Sequence, residues 1–314
     1  MRLWYAALAA SLAMSGISSA TAADLRSTRA DIAAQTPTLL IVSGGTIAVS
    51  FADGAPGMAR APVLAWVKQS AETVAAYFGA FPVAAVSILI VSEPGEKIGH
   101  ATTWGYNGST IRIGVGQHAG TAAFADDWVM VHEMVHLALP DLPPDQLWAL
   151  EGSATYVEPI ARAAAGRLDP AIVWREFLAG FPKGLPDVND QGLDHTHSWG
   201  RTYWGGALFY LAADIGIRTK SDGRSSLRDA LRAINRASGG NGARWTMAQL
   251  VEVGDRATGT TVLAELYEEL RASPARIDLD RLFALLGVGQ EGGRTTLDDT
   301  AELAAIREAI TARN

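Results

Sequence analysis

The sequence predicts an α+β fold, and two observations carry that prediction. Short β-branched runs with hairpin signals fill the chain up to about residue 121, and apolar residues at helical spacing dominate from Ala122 onward. Strands gathered in one part and helices in another mark this class. The 314 residues are 48% hydrophobic, enough for a real core and one or two domains. A formal charge of −7 without a dense Lys/Arg patch argues against nucleic acid or an anionic membrane surface as main partner. Cysteine is absent, which excludes thiolate zinc sites, cysteine nucleophiles and iron–sulfur clusters. Any metal must therefore be held by His, Asp or Glu, and histidine occurs only at 100, 118, 132, 136, 195 and 197.

At the amino terminus, Arg2 precedes an apolar stretch from Leu3 to Met14 and the small residues Ala20-Thr21-Ala22. This is the pattern of an export leader over residues 1–22, cleaved near Ala23. The apolar run is well short of the ~20 residues that a spanning helix needs. A periplasmic or secreted protein is expected, with no stable membrane insertion after cleavage. A polar lead-in comes next, from Asp24 to Pro37. TLLIVSGGTIAVSF reads as a strand or hairpin turning at Gly44-Gly45. APVLAWVKQSAETVAAYFGAF has helical spacing, and AAVSILIVSE is a buried strand that stops at Pro94-Gly95. Asn107-Gly108 in ATTWGYNGSTIRIGVG is a strong hairpin signal. These elements form a subdomain over 23–121.

FADDWVMVHEMVHLAL reads as one helix with acidic residues at its start and Pro140 at its end. After the loop PDLPPDQ, LWALEGSATYVEPIARAAAG is a second helix. A helix near Val173–Leu178 precedes a long loop, and TYWGGALFYLAADIGIR is again helical; this subdomain spans 122–223. Four further helices, SLRDALRAINRA, TMAQLVEVGDRA, TVLAELYEELRA and DLDRLFALLG, fall within the last subdomain, 224–314.

VHEMVH carries the chemistry. On a helix, His132 and His136 at i and i+4 share one face, and Glu133 lies about 100° around from His132. Two imidazoles can then meet at one point, with a carboxylate beside a metal-bound water: the H-E-x-x-H arrangement of zinc hydrolases. A catalytic zinc site usually has three protein ligands and one open position. Asp141, Asp145 and Glu151 lie within reach in sequence. Glu151 is the best third ligand because it sits on a helical stretch after a loop long enough to turn the chain antiparallel, whereas the two aspartates sit in a proline-rich loop.

HEMVH followed by WALEGSATYVE resembles the gluzincin zinc metallopeptidases, and Tyr203-Trp204-Gly205-Gly206-Ala207 resembles the Tyr-x-x-Gly-Ala stretch of their aminopeptidase and glycyl aminopeptidase-like branch. The resemblance covers roughly Trp128 to Val288. It implies a thermolysin-like metallopeptidase domain, zinc as cofactor and a peptide or protein as substrate. It gives Tyr203 the role of hydrogen-bond donor to the oxyanion formed when an amide carbonyl is attacked. In the same families an acid often stands at the place of Glu158. Two helical turns beyond Glu151, it would accept the second ring N–H of a ligand histidine, or be a surface glutamate. His195 and His197 would line the cleft or be solvated loop residues. Trp104, Trp128, Trp148, Trp199 and Trp204 would form an aromatic cleft or belong to the core. The strand STIRIGVG would be the edge along which an extended peptide pairs.

One departure concerns the Gly-x-Met-Glu-Asn segment by which such aminopeptidases capture the free amine. GHATTWGYNG stands in about its place without the acid. Aminopeptidase and endopeptidase action are both open on this reading. The alternative from another class is a catalytically silent periplasmic binding or assembly protein on a peptidase fold, against which the retained Glu133 weighs.

Overall fold

The computed structural model describes residues 17–55 and 58–313. Residues 1–16 of the expected leader lie outside them. Helix α1 (Ile17–Ala33) runs through the small residues where cleavage is expected and continues into the polar lead-in. Arg29 donates to the carbonyls of Tyr106 and Gly108, which ties α1 to a turn of the sheet. No described helix is long and apolar enough to cross a membrane.

β1 (Thr38–Val42) and β2 (Gly45–Phe51) form the expected hairpin, but its two turn residues are Ser43 and Gly44, with φ of 44° and 89°. Two left-handed residues in succession give a turn whose twist matches that of the strands. α2 (Arg60–Phe78) ends at Gly79, and β3 (Ala85–Glu93) comes after it. β4 (Ile98–Trp104) and β5 (Ser109–Gly116) are joined through Asn107-Gly108, as the sequence indicates. The sheet order is β1-β2-β3-β5-β4, with β2, β3 and β5 parallel and the outer strands β1 and β4 antiparallel to their neighbours.

This order corrects one expectation. β5, the strand STIRIGVG, is interior, hydrogen-bonded to β3 on one side and β4 on the other. The Asn107-Gly108 turn folds β4 along the side of β5 that would otherwise be free. The outer strand next to the helix that carries HEMVH is β4, whose register slips between Ile98 and Ala101.

The second section is helical: α3 (Thr121–Asp126), α4 (Val129–Val135), α5 (Leu147–Ala164), α6 (Pro170–Gly180), α7 (Gly206–Lys220), α8 (Leu227–Ser238), α9 (Met247–Thr258), α10 (Val262–Leu270) and α11 (Leu279–Leu286). A small hairpin, β6 (Val288–Glu291) with β7 (Arg294–Leu297), and α12 (Ala304–Thr311) complete it. The sequence reading anticipates neither. One cluster of buried apolar side chains runs from Val42 in the sheet to Ile310 in α12.

α5 and α7 approach each other more closely than side chains would allow. A Cβ on Gly152 would stand 2.3 Å from the carbonyl carbon of Gly206, and one on Gly206 would stand 2.2 Å from the carbonyl oxygen of Trp148. Both glycines are there so that backbone can lie on backbone. Gly152→Ala should lower the free energy of unfolding by about 1–3 kcal/mol, the usual scale of overpacking. Gly120→Ala, where a Cβ meets nothing within 4 Å, should be nearly neutral in the same denaturant titration.

Candidate metal centre

The single helix expected over FADDWVMVHEMVHLAL is broken in two. Asp127 accepts hydrogen bonds from Val129 N at 3.0 Å and Met130 N at 3.1 Å, and from Trp66 Nε1 at 3.1 Å. Its carboxylate takes the first N–H groups of α4, so the chain restarts there instead of continuing from α3. α4 is only seven residues long, with His132 and Glu133 inside it and His136, still helical in its backbone angles, capping its C-terminal end.

Glu151, in the second turn of α5, faces both histidines. Its Oε2 lies 3.4 Å from His132 Nε2 and 3.4 Å from His136 Nε2. Direct ion pairs of this kind close to about 2.7–2.9 Å. Ligand atoms about 2.0–2.1 Å from a tetrahedral zinc stand about 3.4 Å apart. Both contacts match that spacing, and the ligand atoms of all three residues lie within 4.8 Å of one another. Two imidazole nitrogens and one carboxylate oxygen also suit zinc chemically. His132, His136 and Glu151 therefore fit the metal that the sequence calls for.

The electrostatics belong to the same cluster. Burial acts to raise the Glu151 pKa, but His136 and His132 outweigh it and hold the carboxyl well below its ordinary value. Burial acts to lower the His136 pKa, and Glu151, with a smaller contribution from Glu133, raises it to about 8.

Glu133 is buried beside this cluster. Thr103 on the outer strand β4 donates to its Oε2 at 2.6 Å and lies 3.1 Å from its backbone carbonyl oxygen. Sequence reasoning missed Thr103, because only the pairing of β4 against α4 gives it this partner. Tyr203 sits on a π-helical turn, Arg201–Gly205, that leads into α7. Such turns insert a residue and rotate the helix beyond them, and they recur at functional sites. Burial, then the carboxylates of Glu151 and Glu133, push the pKa of the Tyr203 hydroxyl far up, so it stays a donor.

The C-terminal side of the motif is held by a segment distant in sequence. Asn241 N donates to the carbonyl of Leu137 at 3.1 Å, and Asn235 Nδ2 to that of Ala138 at 2.9 Å. Asp141 N donates to Ala243 O, and Trp245 N donates back to Asp141 O. The carbonyls after α4, which a helix end leaves unpaired, are thus satisfied by the last turn of α8 and the α8–α9 connection.

Other expected residues lie elsewhere. Glu158 accepts from Arg162 Nη1 at 2.9 Å on its own helix, in place of a ligand imidazole, and it is buried, not on the surface. Seven residues at about 1.5 Å each carry it about 10 Å along α5 from Glu151. Burial, opposed by Arg162 and reinforced by Glu176 and Asp127, raises its pKa to about 8. His195 and His197 are exposed in the loop before the π turn and stand outside the metal cluster. That loop is anchored by Asp194, which accepts from Trp148 Nε1 at 2.8 Å and from the Tyr267 hydroxyl at 2.7 Å.

This architecture is found in a solved structure. An aminopeptidase N family protein from Idiomarina loihiensis is similar with a TM-score of 0.58 at 14% identity, over 81% of this chain and 49% of its own. The likeness is to a peptidase fold. An M1 zinc metallopeptidase from Deinococcus radiodurans gives 0.49 at 15% identity, over 78% of this chain and 53% of its own. The chain thus spans about half the length of these two proteins. No family model and no curated protein matches the sequence.

His132→Ala and Glu151→Ala should each bind less than one zinc per chain by elemental analysis, and the parent should bind one. With a folded pKa of about 8 above the ordinary carboxylate value, Glu158 contributes stability below about pH 4.3 that is lost as pH rises through about 8. Melting temperatures from pH 5 to 9 should therefore decline less for Glu158→Gln than for the parent.

Proposed function

We propose that the chain is an exported, thermolysin-like zinc metallopeptidase of gluzincin type that hydrolyses peptide bonds. The observation that carries this reading is the convergence of His132, His136 and Glu151 at tetrahedral spacing, with the carboxylate of Glu133 buried alongside. Export rests on the amino-terminal pattern.

Zinc held by these three residues would lower the pKa of a water molecule to about 7 and polarise a substrate carbonyl. Glu133 takes the proton from the attacking water and hands it to the leaving amine. Thr103 fixes the plane of that carboxylate through Oε2, so the acceptor is oriented before substrate arrives. Tyr203 donates its hydroxyl hydrogen to the developing oxyanion, a role supported by its place against Glu151. The outer strand β4 offers backbone hydrogen bonds to an extended peptide. Its GHATTWG segment brings no carboxylate for a free amine, so the reading does not require an amino-terminal substrate.

Glu133→Gln should reduce hydrolysis of a casein or mixed-peptide substrate to background while zinc content stays at one per chain; full turnover in that variant would overturn the assignment. Tyr203→Phe should lower kcat by about 10²–10³, as loss of one oxyanion donor does, with KM nearly unchanged. A parent protein that binds zinc and peptide yet cleaves nothing would favour the binding-protein alternative.

A further inference from the structure

The chain has nine tryptophans, and the structure sorts them. Trp66, Trp148 and Trp174 are buried, and Trp204 is wedged over Gly180, where a Cβ would meet its ring at 2.1 Å. Trp104 and Trp245 are half-buried. Among the described tryptophans only Trp128 and Trp199 are exposed, at 49% and 54%.

Both lie at the reaction centre. The Trp128 ring stands edge-on to His132 with centroids 5.6 Å apart, and the Trp199 ring stacks on Tyr203 at 5.8 Å. His132 and Tyr203 face each other at 6.5 Å, with their planes 17° apart. The four rings therefore form one row, Trp128–His132–Tyr203–Trp199. A metal ligand and the phenol stand in the middle, and an exposed indole closes each end. An indole offers a large apolar face and buries some 150–250 Å² when covered. On this surface the two faces would be covered by whatever lies across the middle of the row.

We propose that Trp128 and Trp199 form two apolar subsites that select a large aliphatic or aromatic side chain on each side of the bond presented to Glu133. The inference rests on the peptidase reading and adds the class of peptide it takes. A peptide lying along the row sets its carbonyl between His132 and Tyr203, and its flanking side chains then fall on the two indoles. Lys183 Nζ lies 5.8 Å from the rings of both Trp199 and Trp204, so the Trp199 end differs from the Trp128 end in its surroundings.

The test uses zinc-loaded full chain and a peptide library read by mass spectrometry, with Trp128→Ala, Trp199→Ala and the ring-retaining Trp128→Phe and Trp199→Phe. Tyr106→Ala, an exposed aromatic outside the row, is the control. Peptides flanked by Phe or Leu should be cut with kcat/KM about ten-fold or more above Ala-flanked ones, the scale an apolar pocket supplies. Each Ala variant should lose the preference on one side, each Phe variant should keep most of it, and Tyr106→Ala should change neither. In parallel, calorimetry in the Glu133→Gln background measures the affinity of a Phe-containing peptide, which should fall about ten-fold on removal of either indole. Cleavage with unchanged preference in both Ala variants overturns the subsites and leaves the peptidase reading intact. Absence of any cleavage together with affinity that depends on both indoles overturns the peptidase reading and upholds the subsites. Absence of cleavage with unchanged affinity overturns both.

Discussion

Backbone contact between Gly152 and Gly206 is the constraint on which the site depends. Glu151 precedes the first glycine, and Tyr203 lies one turn before the second. Only when α5 and α7 touch without side chains between them does the carboxylate that faces two histidines also meet the phenol. The Glu-Gly and Gly-Gly-Ala pieces of the sequence thus have a steric meaning. Glu151 stands beside one glycine and Tyr203 one turn from the other, so the close approach of the two backbones brings these two side chains to the same side of the site.

The histidines depend on a second set of restraints. α4 is short, and its seven residues would make a marginal helix alone. Asp127 supplies partners at its start, Thr103 grips Glu133 from the sheet, and Asn235 and Asn241 take the carbonyls at its end. Sheet, helices and the distant α8–α9 connection all bear on this one element. A buried helix end with satisfied groups is rigid, and rigidity is what a metal geometry set to a few tenths of an ångström requires.

Much of the fold is legible in the sequence because its signals are local. Asn107-Gly108 specifies its own hairpin, and apolar spacing specifies α2, α5 and α8 to α11. His132, His136 and Glu151 converge because helical periodicity fixes the first pair and a turn returns the third. What escapes a linear reading depends on partners far away. The order that makes β5 interior and β4 outermost is a property of the whole sheet. The break at Asp127 draws on Trp66, sixty-one residues earlier, and the π turn at Tyr203 accompanies the packing of α7 on α5. Glu158 is the instructive case: it lies on the correct face of α5, but two turns of rise carry it to Arg162 and Glu176 instead of a ligand imidazole. The indoles are similar. Five tryptophans near the motifs look equivalent in sequence, and only exposure separates Trp128 and Trp199, beside His132 and Tyr203, from buried Trp148 and half-buried Trp204.

The grip of Asn235 and Asn241 on the end of the metal helix also orders events in time. The chain emerges from its amino terminus, so His132, His136, Glu151 and Tyr203 are all present before the segment that completes their support. Until that segment arrives, the carbonyls of Leu137 and Ala138 have only water as partner. A product that stopped short of Asn235 would carry every one of these residues yet lack the hydrogen bonds that Asn235 and Asn241 give to the end of their helix.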